Sequence, residues 1–162
     1  MADIVSPQKR SRMMAGIRGT DTKPELIVRK ALHGAGLRFR LHRKDLAGRP
    51  DIVMPRFNLV LFVNGCFWHG HESCHLFRVP RTRTVFWEAK IAGNRQRDAR
   101  NTEMLAGQGW RVGVIWECAI KGRMASKRED FTSQLVALVR SDEIYFDLRG
   151  VKVEQKQRMF RA

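Results

Sequence analysis

A chain of 162 residues, 43% of them apolar, is long enough for one domain around one buried core and too apolar for wholesale disorder. It carries 31 basic against 16 acidic side chains, a formal charge of +15. That excess points to a polyanionic partner, and to nucleic acid ahead of an acidic membrane surface, because no basic amphipathic helix with a bulky apolar face stands out. No run approaches the ~18 apolar residues of a membrane span. The first 23 residues are polar and basic, with no apolar stretch for secretion. A cytoplasmic monomer is the expectation. The three cysteines, Cys66, Cys74 and Cys118, cannot all pair within the chain. In a reducing compartment they read as thiolate ligands or buried thiols.

Ser6-Pro7 reads as a helix cap followed by Pro in the first turn, opening a basic helix to about Ile17. Residues 1–20 are expected to form a DNA-contacting arm, and a Met at its centre, where Met13 and Met14 are adjacent, is a candidate apolar wedge. Asp21-Thr22-Lys23-Pro24-Glu25 begins a second helix, which Gly34 and Gly36 end. Leu37 to His42 alternates apolar and basic residues, the period of a half-buried strand. Asp51 to Met54 is a short buried strand, and Pro55 to Asn58 turns the chain into a third, Leu59 to Val63. All three are expected to run antiparallel. Thr84 is expected to cap a long helix to about Ala106, which Gly107 and Gly109 stop. The strand from Trp110 to Trp116 then joins the same sheet by a crossover. A last helix is marked by Phe131, Leu135, Leu138 and Val139. Residues 144–162 read as a basic tail. No linker divides the chain, so 1–162 is expected to be a single domain of the α/β class, a mixed sheet flanked by helices.

The densest chemistry follows the third strand. Cys66, His71 and Cys74 form a Cys-x4-His-x2-Cys arrangement, and Cys118 lies just past the fourth strand. Three Cys and one His make an ordinary closed set for structural Zn2+. His69 and His75 are rival ligands; His71 is preferred because it leaves His69 for chemistry. A zinc deaminase is excluded on pattern, since no Pro-Cys-x-x-Cys is present and the set leaves no open position.

Asp51 follows Pro50 at the start of a strand whose partner runs back beside it, so Val63 and Asn64 come near it. A hard cation such as Mg2+ takes oxygen ligands and shares phosphate oxygens. Asp51 supplies one, the Val63 backbone carbonyl another, and Glu25 supports from the preceding helix. His69, just beyond the strand, is placed to take a proton from water. Many Mg2+ nucleases carry Glu-x-Lys on the second strand; here Phe62-Val63-Asn64 stands there instead, so either the chain is an inactive relative or histidine replaces lysine as the base, and the position of His69 favours the second. Adjacent Phe67 and Trp68 in a polar loop read as a wedge for unstacking base pairs.

These residues resemble the very short patch repair endonucleases, the Vsr family of T:G mismatch nicking enzymes. The resemblance runs from about Ser6 to Cys118. It rests on Asp21-Thr22-Lys23-Pro24-Glu25, Gly48-Arg49-Pro50-Asp51, Asn64-Gly65-Cys66-Phe67-Trp68-His69, Arg83-Thr84-x-Phe86-Trp87, Asn94-x-x-Arg97-Asp98 and Gly109-Trp110-Arg111 through Trp116-Glu117-Cys118. It implies a restriction-endonuclease-like fold, structural Zn2+, and Mg2+-dependent hydrolysis of one phosphodiester 5′ to the mismatched thymine of double-stranded DNA. Such mismatches arise when 5-methylcytosine deaminates, and mismatch-repair proteins are implied as partners. By position, Asp51 is the Mg2+ ligand, His69 the base and Glu25 a supporting acid. Phe67, Trp68 and Trp87 match the wedge, Met14 the arm contact, and Lys90 and Asn94 the mismatch-reading helix. Asn64 departs from the histidine of some members. A zinc-braced DNA-binding module without catalysis, and a nuclease for other damaged or branched DNA, are the rival readings.

Overall fold

The computed structural model describes residues 6–15, 20–122 and 125–150. Among these residues four α-helices, α1 (Pro7–Ala15), α2 (Lys23–Gly34), α3 (Thr84–Gly107) and α4 (Arg128–Arg140), accompany five strands. These are β1 (Arg40–Leu41), β2 (Ile52–Met54), β3 (Leu59–Asn64), β4 (Arg111–Trp116) and β5 (Tyr145–Leu148). They form one sheet in the order β1-β2-β3-β4-β5. β1, β2 and β3 pair antiparallel, as the alternating sequence predicts. β3, β4 and β5 pair parallel. The class is the expected one: a mixed sheet between helices.

Residue parity sorts the two faces. Ile52, Met54, Leu59, Leu61, Ile115, Phe146 and Leu148 pack with Val28 and Leu32 of α2 and Phe131, Leu135 and Val139 of α4. The alternate residues Val53, Val60 and Val112 pack with Leu105 of α3 on the other face. Gly113 sits where β4 passes beneath the first of these layers. A Cβ there would lie 2.4 Å from the Phe146 ring and 2.6 Å from Leu61, so no side chain fits.

The helix boundaries follow local chemistry. The Ser6 hydroxyl accepts the Lys9 N–H, and Thr22 accepts the Glu25 N–H. α2 ends with Gly36 left-handed (φ +76°), its N–H on the His33 carbonyl and the Leu37 N–H on Leu32, a Schellman closure. α3 ends the same way, with Gly109 at φ +89° and Trp110 bonded back to Leu105. The Arg111 guanidinium closes α4 by donating to the carbonyls of Leu138 and Val139.

Three elements differ from the sequence-based expectation. β1 is two residues long, and both are exposed, because its partner β2 is itself only three residues. The chain leaves the sheet at His42, which is left-handed (φ 55°). Thr84 lies inside α3 and its hydroxyl donates to the Pro80 and Arg81 carbonyls, so it anchors the preceding turn instead of capping helix N–H groups. Residues 145–148, expected as tail, are the fifth strand, with Phe146 and Leu148 turned into the core. Residues 151–162 and the Met14 side chain lie outside the described residues. Among the described residues, no helix is long and apolar enough to cross a membrane.

Candidate active site and thiol cluster

Antiparallel pairing places the start of β2 beside the end of β3. Parallel pairing places the end of β4 there too, with Asn64 opposite Trp116. A cleft of about 980 Å³ opens at this junction, and Glu25, Asp51, Val63, Asn64, His69 and Asp98 are among its walls. Asp51 Oδ2 accepts the Val63 N–H at 2.7 Å. Burial pushes the Asp51 carboxyl up to about 6; the Val63 hydrogen bond opposes this, the Glu25 charge adds to it, and His69 and Arg29 oppose it. A strand residue's N–H and C=O point to the same side. The Val63 carbonyl is therefore turned toward the edge where Asp51 sits.

Glu25 is 3% exposed. Its Oε2 accepts the Asp21 N–H at 2.9 Å and the Arg29 Nη2 at 3.1 Å. His69 lies in the turn after β3, and its Nδ1 is 2.6 Å from Asp98 Oδ2 on α3. A carboxylate at Nδ1 fixes the tautomer and turns Nε2 into the proton acceptor.

Phe67, Trp68 and Trp87 pack edge to face. Trp68 and Trp87 lie 5.9 Å apart and Phe67 lies 5.4 Å from Trp87; all three are half-buried, and Phe67 and Trp68 line the cleft. Asn94 reaches this loop from α3: its Nδ2 donates to the Trp68 carbonyl at 2.8 Å, and its Oδ1 accepts from Arg97. It is buried, so it braces the aromatic loop from behind. Lys90, four residues earlier, is exposed.

Behind the cleft, the ligand atoms of Cys66, His71, Cys74 and Cys118 lie within 4.8 Å of one another. His71 Nδ1 is 3.5 Å from both the Cys66 and Cys118 Sγ atoms. Its ring stacks on Trp116 at 3.9 Å and 3°. Burial holds the imidazole down to about 4, so it is neutral near pH 7, as a metal ligand must be. Cys118, accepting from the Cys66 thiol, is drawn down to about 6, while Cys66 is pushed up by the same contact. One acidified thiol inside a dry Cys3His set is a donor arrangement suited to a soft or borderline metal ion. The rival histidines lie elsewhere: His69 is engaged by Asp98, and His75 packs near Gly122.

The description "DNA mismatch endonuclease Vsr" belongs to the family whose profile matches residues 2–75. The DNA mismatch endonuclease Vsr of Escherichia coli is 44% identical over 135 residues, covering 83% of this chain and 86% of the relative. The chain belongs to the Vsr family. Two further relatives are named type II nicking enzymes. V.XorIIP of Xanthomonas oryzae is 52% identical over 74% of this chain and 88% of its own, and V.NmeAIP of Neisseria meningitidis is 43% identical over 76% and 87%. Membership places the chain among the DNA endonucleases.

Two participants escape a reading of the Vsr motifs by type and spacing. Asp98 stands 29 residues from His69, and only the fold brings them together. Arg29 looks like a surface residue of an amphipathic helix, yet its side chain is 13% exposed and bonded to two carboxylates. The one available signal is the Asn94-x-x-Arg97-Asp98 motif, which puts Asn94 and Asp98 on one helical face.

Proposed function

We propose that the chain nicks one strand of double-stranded DNA on the 5′ side of the thymine in a T:G mismatch, using Mg2+, as a cytoplasmic monomer working alongside mismatch-repair proteins. One observation carries the reading: Asp51 and the Asp98-held His69 face the same cleft, with Phe67 and Trp68 in its wall and Trp87 packed against both rings.

The donor set fits a hard cation. Asp51 keeps Oδ1 free of the Val63 bond, Glu25 stands close enough to oppose ionisation of Asp51, and every donor is oxygen. Asp51 and the Val63 carbonyl would hold Mg2+, with Glu25 as the supporting acid beside it; when bound, the ion offsets phosphate charge in the transition state and favours ionisation of water. His69 Nε2 accepts the proton of the attacking water, and the Asp98 carboxylate stabilises the imidazolium that results. Asn64 offers an amide to the cleft in place of a second titrating group. Cys66, Cys74, Cys118 and His71 would hold Zn2+ as a closed brace that keeps Phe67, Trp68 and His69 at the cleft mouth.

Phe67, Trp68 and Trp87 supply the wedge. Unstacking a base step costs a few kcal/mol, and less at a mismatch that stacks poorly. The wedge therefore discriminates by the cost of deformation. Met14 on the N-terminal arm and Lys90 on α3 add contacts along the duplex. Asn94 acts through Trp68, whose carbonyl it holds.

The test is a substrate panel: a T:G duplex, its T:A counterpart and a branched duplex, each with purified protein and Mg2+. Nicking confined to T:G supports the reading. Binding without cleavage points to the DNA-binding module, and preference for branched DNA to the other nuclease.

A further inference from the structure

Glu25 occupies an awkward place. It is 3% exposed, it lines the cleft, and it stands near a second, half-buried carboxylate, Asp51. Both of its hydrogen bonds fall on Oε2, from the Asp21 N–H at 2.9 Å and from Arg29 Nη2 at 3.1 Å. Oε1 takes no hydrogen bond from any described residue. Arg29 is not among the residues lining the cleft; it stands behind Glu25, one helical turn along α2. Its Nη1 reaches Asp21 Oδ1 at 2.7 Å, so its fork spans two carboxylates. Asp21 is left-handed (φ 56°), an arrangement that costs conformational energy in a non-glycine residue. His42 Nε2 approaches the same Oδ1 at 3.4 Å. The charged groups gathered here are therefore Asp21, Glu25 and Asp51 against Arg29, with His42 at the margin.

An exposed Glu-Arg pair one turn apart adds a few tenths of a kcal/mol to a helix. A buried one costs desolvation, and replacing it by apolar residues is often harmless to stability. Stability therefore does not account for this pair. Its geometry does something more specific: it occupies one carboxylate oxygen from behind and fixes which oxygen is left for the cleft. A planar fork does this for two carboxylates at once, and an ammonium cannot.

We propose that Arg29 is a positioning residue, holding Glu25 so that Oε1 faces a divalent cation beside Asp51. This rests on the reading that Glu25 supports the Mg2+ site. Partners behind a ligand typically govern its metal affinity by 10–100-fold.

The experiment compares the full chain with Arg29→Met, Arg29→Lys, Glu25→Gln and the double variant Arg29→Met/Glu25→Gln. Two midpoints are read: Mn2+ binding followed by the EPR signal of the free ion, and Mg2+ activation of single-turnover nicking. The expected result is that Arg29→Met raises both by about tenfold, Arg29→Lys by about threefold, and Glu25→Gln by as much as Arg29→Met. The double variant then rises no further than either single one. Should Arg29→Met not fold, Arg29→Lys keeps the charge, loses the fork, and must still raise both midpoints. If the Arg29 variants lower the melting temperature but leave both midpoints in place while Glu25→Gln shifts them, the role given to Arg29 is overturned and that of Glu25 stands. If Glu25→Gln itself shifts neither midpoint, the reading of Glu25 fails and the role of Arg29 falls with it.

Discussion

The thiol cluster and the carboxylate cleft lie on either side of the same turn, Asn64 to His71, yet they are built on opposite principles. The cluster is closed: Cys66, His71 and Cys118 are at most 4% exposed, and their ligand atoms converge on one another. The cleft is open, and its carboxylates are held by partners on the side away from solvent: Asp51 by the Val63 N–H, Glu25 by Arg29 and Asp21. A site that satisfies its own donors stabilises the fold. A site that leaves Oδ1 of Asp51, Oε1 of Glu25 and Nε2 of His69 for something else is arranged as the proposed reaction requires. The fold separates the two tasks while sharing one short loop between them.

Metal removal tests the division most severely. Stripping the cluster with a thiol-competing chelator, or Cys118→Ala, should abolish the cooperative thermal transition, because structural zinc binding contributes about 10 kcal/mol or more to folding in small sites. A chelated protein with an intact transition would show that the cluster is not a brace. His69→Ala should do the opposite, leaving the melting temperature in place while nicking falls about 10²–10⁴-fold. Were both to fall together, His69 would belong to the cluster's structural task.

The pH dependence of stability sharpens the contrast. Burial raises Asp51 from 3.8 to about 6, so the folded protein binds that proton more tightly than the unfolded chain. Without added Mg2+, stability should fall as pH rises through this window and stay lower above it, by about 3 kcal/mol at most. Asp51→Asn carries no such penalty. In urea unfolding it should be more stable than wild type at pH 8 and lose that advantage near pH 4. Parallel curves at all pH values would contradict the burial argument. The smallest effect is expected at the rim: Trp68→Ala should weaken T:G binding by about 1–3 kcal/mol and plain duplex binding by less. Equal losses on both duplexes would sink the wedge.

How much of this was legible in the sequence depends on the range of the interactions involved. Alternation, turn chemistry and paired glycines gave β2, β3, β4 and the ends of α2 and α3, since each rests on neighbours within a few residues. The Cys3His set was legible because a chain with only three cysteines and a few nearby histidines leaves few combinations. β1 was overestimated because alternation says nothing of how long the partner strand is. β5 was overlooked because four residues carry too short a period, although Phe146 and Leu148 do alternate inward. Asp98 and Arg29 were hidden for a different reason. A charged residue on a helix looks solvated until the fold shows what it packs against, and here each faces a group set by tertiary contact.

The central claim is that chemistry resides at Asp51 in the open cleft, with the thiol cluster as its support. The most direct measurement is the single-turnover nicking rate of a T:G duplex by Asp51→Ala, made on protein confirmed to carry one equivalent of cluster metal and to bind that duplex. The rate should fall by about 10³-fold or more with affinity retained. A metal-loaded, duplex-bound Asp51→Ala protein that nicks within tenfold of wild type would contradict the account.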